Sequence, residues 1–145
     1  LQLTTITNTE QIKALITEMY SGDSSLLEKW HVIAPTTLEK AVENSLNIFL
    51  DSPKLEFKLI ENNGELIGYV GIEQTDIRYV KGFFIAKKHR NAEVKNGFID
   101  LLKRELGEVI IPLNKNNLRA QRFFIDNCFD ILIENEEYVV LYLPK

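Results

Sequence analysis

At about residue 55 the apolar pattern of this chain changes period, and that change restricts the architectures open to it. Before it, Ile12, Leu15, Ile16 and Met19 fall on one helical face, and Leu38, Ala41, Val42, Ser45, Leu46 and Phe49 form a second such stripe. After it, Leu55, Phe57 and Leu59 alternate with Glu56 and Lys58, as in a half-buried strand. Asn63-Gly64 then gives a strong short-range hairpin signal, "LIGYVGIEQ" returns as the partner strand, and "IRYVKGFFIA" follows as a third. The helical period comes back with Val94, Phe98, Leu101, Leu102 and Leu106. "EVIIPL", 108–113, is a short apolar strand that reads as buried on both faces, as a parallel strand would be. Asn117 opens a helix carrying Ala120, Phe123, Phe124 and Asn127, and "FDILIENEEYVVLYL" closes the chain as two strands about a polar turn.

The start is consistent with this pattern. "LQLTTIT" reads as a short first strand, and Asn8 with Gln11 and Thr36 with Glu39 are capping-box signals for the two early helices. "SGDSS" breaks the pattern, "LLEKWHV" reads as a short helical piece, and Pro53 lies beyond the second helix. The order is therefore β-α-α-β-β-β-α-β-α-β-β, an α+β chain with a mixed sheet covered by helices. With no internal repeat, low-complexity tract or Gly/Ser linker, residues 1–145 read as one domain.

Composition narrows the function classes. The net charge of −4 argues against broad nucleic-acid binding, which leaves a basic footprint. No apolar run approaches the roughly 20 residues that span a bilayer, and the opening residues lack the basic and apolar regions of a signal peptide. The single cysteine, Cys128, allows no intrachain disulfide and suits a reducing, cytoplasmic setting. Two histidines and one cysteine, far apart, show no metal-ligand spacing.

Three stretches from about 55 to 143 resemble the GNAT superfamily of acyl-CoA-dependent N-acyltransferases. The hairpin "FKLIENNGELIGYVGIE" resembles the family's second and third strands. "FFIAKKHR" is similar to the end of its fourth strand, L-x-V-x-P-x-x-R, with Phe83, Ile85 and Arg90 at the L, V and R positions and Lys87 in place of Pro. "NLRAQRFFIDNCF" resembles N-x-x-A-x-x-F-Y-x-x-x-G-F: Asn117, Ala120, Phe123 and Phe129 match, while Phe124 replaces Tyr and Cys128 replaces Gly. The resemblance implies a mixed, mostly antiparallel sheet of about six to seven strands flanked by about four helices.

It also implies a site. Acetyl-CoA or coenzyme A would lie where the fourth and fifth strands part, with its pantetheine arm on the backbone of Phe83, Phe84 and Ile85. Its pyrophosphate would sit on the following turn, R/Q-x-x-G-x-G/A in the family and Arg90-Asn91-Ala92-Glu93-Val94-Lys95 here, with Asn117 and Phe124 as further cofactor contacts. Glu93 and Lys95 hold the glycine positions. Glycine would let the backbone approach the phosphates, and a carboxylate in the first turn opposes them while favouring the helix start. Lys87, Lys88, Arg90 and Lys95 could hold phosphates by charge. They could equally be solvated charges at a strand–helix corner.

The implied reaction is acetyl transfer to an amine of a small-molecule or peptide acceptor, by direct attack on the thioester. It calls for a proton acceptor, with Glu73 and Asp76 as candidates that also read as turn-flanking acids, and for backbone donors to the developing oxyanion. Tyr69 and Tyr79 could supply a hydroxyl or simply pack on the sheet. Phe124 lacks the hydroxyl that protonates the leaving thiolate in the family, and it reads equally as a core aromatic beside Phe123. A GNAT-fold pseudoenzyme that binds a ligand or partner without turnover, as monomer or homodimer, is therefore the alternative. Cys128 with His31 or His89 is a thin nucleophile pair, and a helix-end Cys reads rather as a small buried apolar residue. Trp30-His31 falls where the family builds its acceptor pocket, and Trp30 reads equally as a cover for the sheet edge.

Overall fold

The computed structural model describes residues 1–6, 8–22 and 37–145. Along them run β1 (Gln2–Thr4), α1 (Thr9–Gly22), α2 (Leu38–Asp51), β2 (Leu55–Asn62), β3 (Glu65–Gln74) and β4 (Arg78–Ile85). A 3-10 turn (Lys87–His89), α3 (Ala92–Leu106), β5 (Val109–Asn114), α4 (Leu118–Asp126), β6 (Asp130–Glu134) and β7 (Tyr138–Leu143) complete them. The α+β class and element order are those expected from the change of period. The helical piece expected at "LLEKWHV", with Trp30-His31, lies outside the described residues.

Local chemistry explains the boundaries. Glu10 N–H donates to Asn8 Oδ1 at 2.9 Å, which caps α1. The cap of α2 is Thr37, whose Oγ1 accepts from Lys40 N–H at 3.3 Å, one residue beyond the expected Thr36. Either threonine can serve, and the apolar stripe starting at Leu38 selects the later one. Asn63 (φ 53°) and Gly64 (φ 83°) both adopt the left-handed conformation of a tight hairpin.

The end of α4 explains a departure from the family pattern. Phe129 N–H donates to Phe124 C=O at 3.1 Å and Cys128 N–H to Ile125 C=O at 3.2 Å, the bond pair of a Schellman cap. Cys128 is its left-handed residue, at φ 73°, where glycine would be unstrained. The thiol is exposed, not the small buried apolar group that a helix-end cysteine suggests.

The strands form two sheets, ordered β1-β2-β3-β4 and β5-β7-β6. Every pairing within them is antiparallel, which corrects the expectation of a parallel strand at 108–113. β5 pairs antiparallel with β7, and its burial alternates. It lies beside β4 but belongs to the other hydrogen-bonded sheet. The run reads as apolar throughout because Ile111, Pro112 and Leu113 also line a cleft along that seam.

Alternation along the first sheet builds two core layers. Leu59, Tyr69 and Phe84 face α1 and α2, where they meet Ile12, Ile16 and Val42. Ile60, Val70 and Ile85 face the other way, onto Phe98 and Leu102 of α3 and Leu141 of β7. Ser45, the polar member of the α2 stripe, is buried against the Tyr20 hydroxyl at 2.7 Å, so its burial leaves no orphaned group.

Candidate functional site

The seam between β4 and β5 opens into a cavity of about 630 Å³. Its origin is visible in the register of β3 and β4. Gly71 pairs with Gly82 and Ile72 with Val80, so Lys81 is an extra residue on β4, a β-bulge. A bulge bends its strand and re-aims the extra side chain, and Lys81 accordingly stands on the cavity wall.

The backbone of β4 below the bulge faces the cavity with groups that have no partner among the described residues. Ala86 N–H donates to Ile67 C=O at 2.7 Å, so Ala86 and, by alternation, Phe84 turn their polar groups to β3. Phe83 and Ile85 turn theirs to the seam. Arg90 Nε donates to Ile85 C=O at 2.7 Å, which leaves Ile85 N–H and both groups of Phe83 along the open edge.

At the other end lies the turn into α3. Asn91 Oδ1 accepts from Val94 N–H at 2.9 Å, and Asn91 C=O from Lys95 N–H at 3.0 Å. The first-turn amides left over are those of Ala92 and Glu93. The Arg90 guanidinium lies 5.3 Å from the Phe84 ring centroid, and Lys95 Nζ 6.0 Å from that of Phe123. Lys88 turns elsewhere, with Nζ 3.5 Å from Glu65, and His89 Nε2 lies 3.4 Å from the same carboxylate.

Of the residues expected at a cofactor site, Phe83, Phe84, Ile85, Arg90, Lys95 and Asn117 line the cavity. Asn91, Ala92, Glu93 and Val94 form the helix start beside it without lining it. Phe124 takes the core place that was one of its two readings, not the cofactor contact. It is fully buried behind the wall, edge-to-face with Phe83 at 5.6 Å, because the apolar face of α4 turns it into the core. Lys81 and Arg119 are wall residues that the sequence reading did not single out. Gly82 inside a strand was the available sign of a bulge at Lys81.

The charge of the wall is one-sided. Lys81, Lys87, Arg90, Lys95 and Arg119 line it, and among the described residues no Asp, Glu or His does, in a chain of net charge −4. Asp76 is exposed on the β3–β4 connection and off the wall. Glu73 is also off the wall, but its Oε2 accepts from the Tyr79 hydroxyl at 2.7 Å and lies 3.6 Å from Lys81 Nζ. The Tyr79 bond and, after it, the Lys81 charge hold the Glu73 carboxyl below the usual carboxylate range, and the same bond raises the Tyr79 phenol. Tyr69 is buried, with its hydroxyl 3.1 Å from Met19 Sδ, and burial raises its phenol too. Among the described residues no group of His, Cys, Asp or Glu could hold a metal ion, and no helix is long and apolar enough to cross a membrane.

The Glu73 assignment has a direct check. Tyr79→Phe removes the larger cause of the depression and leaves the Lys81 charge. In a carboxyl-carbon NMR titration the Glu73 midpoint should rise toward the ordinary value without fully reaching it. In the wild type, the stabilisation from this depressed group is present above the ordinary carboxylate range. It is lost on acidification through the folded midpoint.

No family model matches the sequence, and no curated protein matches it. Solved structures do match in fold. An acetyltransferase from Thermus thermophilus has a TM-score of 0.69 at 15% identity, over 100% of this chain and 98% of that one. The aminoglycoside acetyltransferase AAC(6')-Ib, in complex with ribostamycin and coenzyme A, has 0.68 at 18%, over 99% and 92%. The Campylobacter jejuni N-acetyltransferase PseH, in complex with acetyl coenzyme A, has 0.55 at 18%, over 90% and 95%. At such identities the likeness is one of fold.

Proposed function

We propose that this chain, which has the GNAT fold of those N-acetyltransferases, binds acetyl-CoA in the β4–β5 cleft and transfers the acetyl group to an amine of a small molecule or peptide. The observation that carries the reading is the wall itself, which among the described residues has five cationic side chains and no carboxylate beside an open strand edge in an acidic protein. Coenzyme A matches both features. Its phosphates call for cations, and its pantetheine arm carries two amides that suit the free backbone groups of Phe83 and Ile85. Neighbours of the same fold, PseH and AAC(6')-Ib, have been solved with acetyl coenzyme A and coenzyme A.

The residues divide the work along the cleft. Ala92 and Glu93 N–H, at the positive end of α3, together with Lys87, Lys95 and the outer nitrogens of Arg90, would hold the pyrophosphate. Here lysine and arginine charge stands in for the close approach that glycines give elsewhere. A neutral amine attacks the thioester carbonyl, the N–C bond forms as the C–S bond breaks, and the free edge of β4 offers N–H to the developing oxyanion. The coenzyme A thiolate leaves without help from Phe124 and takes up the proton lost by the attacking nitrogen, so the step balances as amide and free thiol.

A second reading, binding without turnover, is favoured by one specific feature. The described wall carries no carboxylate, imidazole or hydroxyl to move a proton. The two readings separate in a thiol-release assay over a panel of amines, from aminoglycosides to lysine and N-terminal peptides. Transfer requires amine-dependent release of coenzyme A above the no-amine rate. Release that no amine accelerates, in a preparation that binds acetyl-CoA, selects the binding module.

A further inference from the structure

We infer that Lys81 is a self-acetylation site, its amine taking the acetyl group from acetyl-CoA bound in the same cleft. The inference rests on the cofactor reading above and concerns a different acceptor, the chain itself.

Position singles out Lys81 among the wall cations. Arg90 and Arg119 carry delocalised guanidinium groups, which are not acyl acceptors. Lys87 and Lys95 flank the turn into α3, at the phosphate end. Lys81 lies at the far end of the open edge, four residues up β4 from Ile85, or about 13 Å at about 3.3 Å per residue. A pantetheine arm that runs from the turn along Ile85 and Phe83 points its thioester toward the bulge. The bulge is what brings the Lys81 side chain to the wall.

The neighbourhood of Lys81 supplies the proton chemistry. Glu73 Oε2 lies 3.6 Å from Nζ and is itself fixed by the Tyr79 hydroxyl, so one carboxylate is aimed at this amine. Its depressed carboxyl makes it a relay that hands the proton on to water, not a store for it. The ammonium gives one proton to Glu73, and the neutral Nζ attacks the thioester carbonyl. The N–C bond forms, the C–S bond breaks, and the thiolate takes the second proton lost from nitrogen. Glu73 then releases its proton to water. The products are acetyl-Lys81, coenzyme A and one proton, with no change of oxidation state. Holding amine and thioester in one cleft replaces a bimolecular encounter by an effectively unimolecular one. The product amide has no charge, so the Lys81–Glu73 ion pair disappears and the cleft keeps four of its five cations.

The test is time-resolved peptide mass spectrometry of the purified chain with acetyl-CoA, alongside a calorimetric titration of the same preparation. Lys40 and Lys103, both exposed, serve as internal references. The expected result is acetylation of Lys81 at least ~10-fold faster than of either reference, with a rate constant unchanged on dilution of the protein. Glu73→Gln should slow the reaction at Lys81 and leave the references unaltered. Binding with Lys81 acetylated no faster than Lys40 and Lys103 overturns the inference and spares the cofactor reading. Absence of binding removes both.

Discussion

Replacing Gly68 by alanine should cost about 3 kcal/mol and lower the urea midpoint by roughly 1.5 M, for slopes usual in a domain of this size. Gly68 lies in β3 opposite Ile85, and a Cβ there would overlap the Phe84 carbonyl oxygen and come within 3.1 Å of Ile85 Cα. Both obstacles are backbone, so no rotamer change relieves them. They belong to β4, so the strand that walls the cleft must move or the pairing must break. Gly82 is the control. It lies on β4 with nothing within 4 Å of a new Cβ, and Gly82→Ala should stay within about 0.5 kcal/mol of wild type. Equal midpoints for Gly68→Ala and wild type would mean that the two strands are not packed as closely as described.

Phe124→Ala should be as damaging, about 3–5 kcal/mol, with melting lowered by roughly 10 °C or more. The ring is fully buried among Phe83, Phe123 and Phe129, with centroids 5.6, 5.0 and 5.0 Å away. It joins α4 to β4 and to the Schellman cap, so its loss leaves a cavity beneath the cleft wall. Phe124→Tyr carries the sharper lesson. A hydroxyl added there enters an apolar cluster, and burying it unpaired costs about 1–3 kcal/mol. Ile125→Ala, one residue on and exposed, should be near neutral. If Phe124→Tyr proved as stable as wild type and accelerated thiol release, the side chain would be reaching the cleft after all.

Where a signal was local, the sequence carried it well. Asn63-Gly64 requires two left-handed residues, and a two-residue turn satisfies that need without help from the rest of the fold. Capping at α2 was legible only to within one residue, because Thr36 and Thr37 are equivalent by type. The reading of β5 failed for a tertiary reason. An apolar run says that both faces are covered or lipophilic, and it cannot distinguish a hydrogen-bonded neighbour from an open cleft lined by Ile111, Pro112 and Leu113. Lys81 was missed because an alternating pattern assigns it to one face of a regular strand. Only the register against Gly71 and Ile72 exposes the bulge that sends it to the wall. Phe124 reads two ways in the sequence, as a cofactor contact by analogy with a residue of another type and as a core aromatic beside Phe123. Its burial agrees with the second, which the apolar face of α4 already carries. The one-sided charge of the cleft joins residues from β4, α3 and α4 that are up to 38 positions apart, and no window of sequence contains it.

Calorimetric titration with coenzyme A tests the central claim most directly, with wild type and Lys95→Ala at low and high salt. One-to-one binding in the micromolar range is expected, weakened several-fold by Lys95→Ala at low salt and by less when the cleft charges are screened. No heat up to about millimolar ligand, in a chain that remains folded, would contradict a cofactor site in the β4–β5 cleft.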